Sequence, residues 1–330
     1  MTNHLLDVQD LHVSFDTHAG EVQAVRGVSF WLDAGETLSI VGESGCGKSV
    51  TIQTIMKLLP SPPSQIKSGA ITYQGTDITH LSDKAMESYR GKEFSMIFQD
   101  SMTSLNPTMR VGRQMCEGIL RHQRVSRQEA QQISAELLGQ VGLPNPELVA
   151  KRYPHTMSGG QRQRVMIAMA MACNPKILFA DEPTTALDVT MQAQILDLMN
   201  HLKEKRGTSI LLITHDLGVV AKMADRIAVM YAGKIVEEGK SRQIFYERCH
   251  PYTEGLLASV PRLESDVNEK LKPIKGNPPD MSAVKPGCAF APRCSCAMKI
   301  CVREEPPEYE LDETHKASCW QVIKKAMQNT

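Results

Sequence analysis

Short apolar runs recur along the chain at 37–41, 94–98, 176–180, 209–213 and 226–230. Continuous runs of this length, bounded by turn residues, predict strands buried on both faces. Helical periodicity fills the intervals. Over 189–202, Met191, Ile195, Leu198, Met199 and Leu202 fall on one face of a helix. Strand and helix therefore alternate, which predicts an α/β fold with a mostly parallel sheet. The stretch from about 103 to 154 differs: it is rich in Gln, Arg and Met, periodic over 130–141, and free of strand-like runs. It predicts a helical subdomain inserted in the α/β core, reaching to about 170. Beyond Gly239 the pattern changes again. Prolines 251, 261, 273, 278, 279, 286, 292, 306 and 307 punctuate a stretch with little periodicity, which predicts a loop-rich C-terminal extension. Two parts result, 1–240 and 241–330.

Charge narrows the classes of function. Among 330 residues, 37 Lys and Arg balance 37 Asp and Glu, so no long-range field favours nucleic acid or an anionic membrane surface as main partner. A hydrophobic content of 42% argues for a folded core rather than disorder throughout. The longest uncharged run, 165–175, has 11 residues, well short of the roughly 20 that span a bilayer. Residues 1–7 lack the basic and apolar regions of a signal peptide, which predicts a cytosolic chain in which disulfides are not expected.

Phosphate chemistry enters at Gly42-Glu-Ser-Gly-Cys-Gly-Lys-Ser49, which fits G-x-x-x-x-G-K-[ST] and lies between a predicted strand and a helical run over 50–58. Glycines let successive backbone N–H groups converge on phosphate oxygens at a helix N-terminus. Lys48 reaches the β- and γ-phosphates and the Ser49 hydroxyl ligates Mg²⁺. The run 177–182 delivers Asp181 and Glu182 at the C-terminal edge of a strand, where α/β sheets place their ligands. Asp181 suits Mg²⁺, and Glu182 suits an attacking water. A second Gly-rich turn, Ser158-Gly-Gly-Gln161, opens another helix; taken alone it reads as an N-cap by Ser158. The order adds weight: phosphate loop, Gln99, Ser158 to Gln161, Asp181 and Glu182, Ala186-Leu-Asp188, then His215 after a strand.

That ordered set resembles the nucleotide-binding subunit of an ATP-binding cassette (ABC) transporter, with 1–240 as the cassette and its ATPase core. The resemblance implies ATP and Mg²⁺ as cofactors. It implies contacts to the nucleotide from Gly42, Ser44, Gly45, Cys46, Gly47, Lys48, Ser49 and Val50. Ser49, Gln99 and Asp181 attend the metal, Glu182 the water and His215 the γ-phosphate. Ser158, Gly159, Gly160 and Gln161 form the signature, Asp188 the D-loop aspartate, and Phe15 stacks on adenine. Further segments, including 97–107, 153–155, 250–253 and 287–294, resemble the oligopeptide/dipeptide importer ATPases, a branch that also serves nickel and glutathione import. Cys46 stands where Ser is commoner, which suggests a loop sensitive to oxidation. The resemblance implies two membrane permease subunits, a second paralogous cassette and an extracytoplasmic peptide-binding protein as partners, with the chain peripheral at the cytoplasmic face of the membrane. A soluble cassette acting on ribosomes or DNA is the alternative, but the chain carries one phosphate loop, one signature and no sustained heptads.

Nine cysteines divide into scattered Cys46, Cys116, Cys173 and Cys249 and a group at the C-terminal end: Cys288, Cys294, Cys296, Cys301 and Cys319. A Pro-rich segment of low hydrophobicity needs a staple. Paired C-x₂-C zinc spacings are absent, and four thiolates are available for an iron–sulfur cluster. Zinc and free thiols stay open on the residues alone. The oligopeptide/dipeptide branch is associated with a [4Fe–4S] cluster at similar spacing, which implies Cys288, Cys294, Cys301 and Cys319 as ligands. Cys296 is then a spare or an alternative to Cys294.

Overall fold

The computed structural model describes residues 4–18, 20–99, 104–185, 187–259 and 273–329. Thr103, at the expected start of the helical subdomain, and Ala186, beside Asp188, lie outside the described residues. The strands in chain order are β1 (Leu6–Thr17), β2 (Gly20–Leu32), β3 (Thr37–Val41), β4 (Ser64–Tyr73), β5 (Thr76–Asp77), β6 (Phe94–Ile97), β7 (Ile177–Asp181), β8 (Ser209–Thr214), β9 (Arg226–Tyr231), β10 (Lys234–Lys240), β11 (Tyr309–Glu310) and β12 (Lys316–Ala317). The chain divides into two compact units. Met1–Leu32, Leu38–His80 and Thr214–Thr330 form the first, and Asp33–Thr37 with Leu81–Ile213 the second.

In the first unit, β2, β1, β4 and β5 make an antiparallel sheet. Leu6, Val8, Leu11 and Val13 of β1 are buried, as are Val25, Val28, Phe30 and Leu32 of β2. The apolar-run reading does not announce this sheet, because the register shifts between Val8 and Leu11. A bulge there resets the two-residue alternation halfway along the strand. The same unit pairs β3 with β9 in parallel, then β9 with β10 and β10 with β12 antiparallel. Every residue of β3 and β9 is buried, as their continuous apolar runs predict.

The C-terminal extension is built into this unit. The helices Ser241–Tyr246 and Pro251–Ala258 and strand β12 belong to it. Its Tyr252 and Phe290 share one apolar cluster with Val41, Val229 and Tyr231 of the core strands. The low periodicity of the sequence reflects packing through a few aromatic anchors rather than through long elements. Glu237 of β10 supplies the polar tie: it accepts hydrogen bonds from the N–H groups of Cys249 (2.6 Å) and His250 (3.0 Å), and its Oε1 lies 3.0 Å from His315 Nε2. Burial pushes the Glu237 carboxyl up, but hydrogen bonds from His315, Cys249 and His250 outweigh it and hold the group below its usual range.

In the second unit β6, β7 and β8 run parallel. The insertion after β6 is helical as its composition predicts, with helices Val111–His122, Arg127–Gln140, Pro146–Lys151 and Gly159–Ala170. Ser126 and Glu129 form a capping box at the second of these. The periodic run from Val189 becomes one helix, Val189–Arg206, ended by Gly207 in the left-handed conformation.

His250 caps the helix Pro251–Ala258 by accepting the Tyr252 N–H on Nδ1 at 3.0 Å, which requires a neutral imidazole. Burial lowers its pKa from 6.5 to about 4, against an opposing pull from Glu237. As pH falls below about 6.5 the unfolded chain takes up a proton that the folded chain refuses until about 4, so stability drops through that window. The unfolding free energy should fall by about 2 kcal/mol between pH 7 and pH 5 from this group. His250→Asn, which keeps a cap but does not titrate, should flatten that slope in urea unfolding curves; an unchanged slope would refute the assignment.

Candidate nucleotide site and cysteine pocket

The phosphate loop joins β3 to the helix Lys48–Ile55. Its shape is set by close backbone contacts within the first unit. A β-carbon on Gly42 would lie 2.1 Å from the Met230 carbonyl oxygen, and one on Gly47 2.3 Å from that of Ala24, with Gly47 at φ +104°. Only glycine fits at these two positions. Gly233 N–H donates to the Cys46 carbonyl at 2.9 Å, which ties the loop to the β9–β10 turn. Lys48 is buried, and its ammonium lies across the loop, donating to the carbonyls of Gly42 (2.8 Å) and Glu43 (2.9 Å). Ser44 and Gly45 are exposed, while Ser49 and Val50 are half-buried. A left-handed glycine at the head of a helix, beside a lysine ammonium, suits a phosphate group.

Cys46 corrects one expectation. It is 5% exposed, and burial pushes its thiol up despite the nearby Lys48. Oxidation proceeds through an accessible thiolate, so this thiol is protected rather than reactive.

Phe15 lies near the end of β1, paired with Val22 and Ser64, and is half-buried. His215 is exposed and follows β8. Its neighbour Asp216 caps the helix Leu217–Met223 by accepting the N–H groups of Gly218 (2.8 Å) and Val219 (3.3 Å).

The second unit gathers its own group. Asp181 ends β7 and is 4% exposed. Glu182 has φ +46°, unusual for a residue with a side chain. That conformation is held by a 2.8 Å bond from its N–H to the Ile213 carbonyl. Its Oε2 accepts Gln99 Nε2 at 3.0 Å and the Thr185 hydroxyl at 2.9 Å. The structure thus brings together Gln99 and Glu182, 83 positions apart in sequence. Sequence reasoning missed Thr185, three residues after Glu182. Ser158 and Gln161 form a capping box at Gly159–Ala170, with both bonds at 3.3 Å. Gly159 follows the cap, and Gly160 is closely faced by the flexible end of Met191. Asp188 caps Val189–Arg206 by accepting the Met191 N–H at 2.9 Å.

In the first unit Cys288, Cys294, Cys296, Cys301 and Cys319 line a single pocket with His250, Phe290 and Trp320. Burial raises the thiols of Cys288, to about 11, and of Cys294 and Cys319. Uncompensated thiolates are unfavourable in this pocket, whereas an all-sulfur donor set suits a soft metal centre. A closed four-thiolate zinc site needs sulfurs about 3.8 Å apart, from Zn–S bonds of about 2.3 Å. Among the described residues, Glu237, Cys249 and His315 are the group whose ligand atoms gather within 4.8 Å, and there Glu237 serves as the polar tie described above.

Sequence reasoning also missed the partners of Glu43. Its carboxylate forms a two-pronged ion pair with Arg293, at 2.5 and 2.9 Å, and its N–H donates to the Tyr252 hydroxyl at 2.9 Å. Both partners stand in segments noted above for resemblance, 250–253 and 287–294, but nothing in one dimension links them to residue 43.

Comparison with known proteins agrees with these features. Residues 25–185 match the family model "ABC transporter" and residues 236–301 the model "Oligopeptide/dipeptide transporter, C-terminal region". The oligopeptide transport ATP-binding protein OppD of Bacillus subtilis (strain 168) is 58% identical over 96% of this chain and 88% of its own. The dipeptide transport ATP-binding protein DppD of the same organism is 55% identical over 96% of this chain and 94% of its own. Among solved structures, a dimeric post-hydrolysis ATP-binding cassette bound to ADP and Pi is 28% identical, with a TM-score of 0.65, covering 72% of this chain and 99% of its own. The chain belongs to the ABC transporter family, in the group that carries the oligopeptide/dipeptide transporter C-terminal region.

Proposed function

We propose that the chain is the ATP-hydrolysing subunit of an importer of oligopeptides or dipeptides, powering a permease that it does not itself contain. The observation that carries the reading is the phosphate loop, with Gly42 and Gly47 pressed against neighbouring backbone and the Lys48 ammonium laid across its mouth. The names of the relatives support the peptide cargo. None of the described helices is long and apolar enough to cross a membrane.

In this reading Gly42, Ser44, Gly45, Cys46, Gly47, Lys48, Ser49 and Val50 surround the phosphates, and Phe15 stacks on the adenine. By the family resemblance, Ser49, Gln99 and Asp181 would hold Mg²⁺, which would neutralise charge on phosphate oxygens. Glu182 polarises the attacking water, and its bond with Gln99 supports a shared role for those two residues; by the resemblance, His215 would contact the γ-phosphate. The turn from Ser158 to Gln161 and Asp188 serve the nucleotide of a second, paralogous cassette, so that ATP joins the two and hydrolysis releases them. A dimeric cassette among the structural neighbours supports that arrangement.

The helices between β6 and β7 dock the cytoplasmic loops of the permease, whose membrane part comprises two subunits, and an extracytoplasmic binding protein presents the peptide. A groove among these helices, lined by Arg110, Arg113, Cys116, Glu117, Leu120 and Tyr153, supports such docking. The chain then works as a peripheral subunit at the cytoplasmic face of the membrane, with 1–240 as the nucleotide-binding domain and 241–330 as the transporter-specific extension. Cys288, Cys294, Cys301 and Cys319 would hold a [4Fe–4S] cluster that staples the extension.

Glu182→Gln should bind ATP and form a stable ATP-dependent dimer while hydrolysing at least about 100-fold more slowly. Size-exclusion chromatography beside a phosphate-release assay checks this, and unchanged turnover removes Glu182 from the role. Protein purified without oxygen should be brown and contain about four iron and four sulfide per chain; colourless protein with one zinc, or fully folded protein with no metal, would exclude the cluster.

A further inference from the structure

Glu43 is the second residue of the phosphate loop, and three independent bonds converge on it. Its carbonyl accepts the Lys48 ammonium at 2.9 Å, its N–H donates to the Tyr252 hydroxyl at 2.9 Å, and its carboxylate takes the Arg293 guanidinium through both oxygens. The backbone at Glu43, whose N–H shares a peptide with the Gly42 carbonyl that Lys48 also meets at 2.8 Å, therefore helps set where the Lys48 ammonium rests. Two of the three bonds come from the C-terminal extension.

Both partners from the extension are held firmly. The Arg293 side chain is 5% exposed. Its Nε donates to the Lys275 carbonyl at 3.0 Å, Nη1 also reaches the Tyr231 hydroxyl at 3.3 Å, and Nη2 the Ile274 carbonyl at 3.5 Å. Such a fork matches a carboxylate in a way that a lysine ammonium does not. Tyr252 is fully buried, with its ring 4.6 Å from Tyr231 and 5.4 Å from Phe290 between centroids. Its hydroxyl is consequently fixed in place. Arg293 ends the short turn Ala291–Arg293, bracketed by Cys288, whose carbonyl accepts the Ala291 N–H at 2.9 Å, and by Cys294. The cysteine-rich turn thereby aims the guanidinium at the loop.

We propose that Arg293 and Tyr252 are positioning residues for ATP binding, holding Glu43 so that the backbone of the phosphate loop and the Lys48 ammonium are arranged for a triphosphate. The conformation of the extension then sets nucleotide affinity without touching the nucleotide. This inference rests on the reading that Gly42 to Ser49 bind ATP.

The test uses the full chain, with binding of a fluorescent ATP analogue in the presence of Mg²⁺ and steady-state hydrolysis of ATP. Tyr252→Phe removes one oxygen and keeps the packed ring; Arg293→Lys keeps the charge and loses the fork. Each should weaken nucleotide binding and raise KM for ATP about tenfold, with kcat changed by less than about twofold. In a Glu43→Gln background, Arg293→Lys should add little further loss, since the two changes break one pair. Glu305→Gln serves as the comparison. It breaks a different anchor of the extension, the pairs to Arg26 and Lys234 at 2.9 and 2.6 Å, and should leave affinity unchanged. Wild-type affinity in both Tyr252→Phe and Arg293→Lys, while Lys48→Ala loses binding, would overturn the positioning role. An equal loss in Glu305→Gln would also overturn it, by showing that any loosening of the extension suffices. Normal binding by Lys48→Ala would instead overturn the underlying ATP reading.

Discussion

The first unit depends on how tightly the phosphate loop is threaded between neighbouring backbones. Met230 of β9 closes on Gly42, Ala24 of β2 closes on Gly47, and Gly233 bonds to Cys46. With no room for a β-carbon at either glycine, the loop has little freedom to relax. Its N–H groups and the lysine ammonium are ordered by the fold rather than by the ligand. Preorganisation of this kind lets binding proceed without a large ordering cost.

That threading needs support from behind, which the extension supplies through mixed chemistry. The aromatic trio Tyr231, Tyr252 and Phe290 gives buried area, with centroids 4.6 to 5.4 Å apart. Polar ties then fix direction: Glu237 gathers Cys249, His250 and His315, and Arg226 joins Glu238 at 2.9 Å while stacking 4.3 Å from the Trp31 ring. Buried carboxylates are tolerated because their oxygens meet N–H donors or cations. A segment too poor in apolar residues to make its own core is thus made part of another.

In the second unit the chemistry rests on backbone geometry. Glu182 holds a left-handed conformation that costs about 1 to 2 kcal/mol for a residue with a side chain. It directs the carboxylate toward Gln99 and Thr185 rather than along the strand. The caps by Ser158 and Asp188 place the starts of two helices through their first N–H groups.

Much of this was legible in one dimension because it depends on neighbours in sequence. The apolar runs become β3, β6, β7, β8 and β9, with β3, β7, β8 and β9 buried throughout and β6 half-buried at Ser95 and Met96, since a short, mostly apolar run is itself a local signal of a strand. The glycine and lysine spacing of 42–49 is likewise local, as are the helical insertion and the order of motifs that carries the family resemblance. The antiparallel sheet was hidden because a bulge shifts the alternation of β1 by one residue. Sequence alone gave no reason to call Cys46 protected, for its state follows from burial that only packing creates. The union of Glu43 with Arg293, 250 positions away, and of Gln99 with Glu182 is a matter of tertiary structure. Complementary charge and hydrogen-bonding capacity are visible in a sequence, but which donor meets which acceptor is decided only when strands and loops bring them within 3 Å.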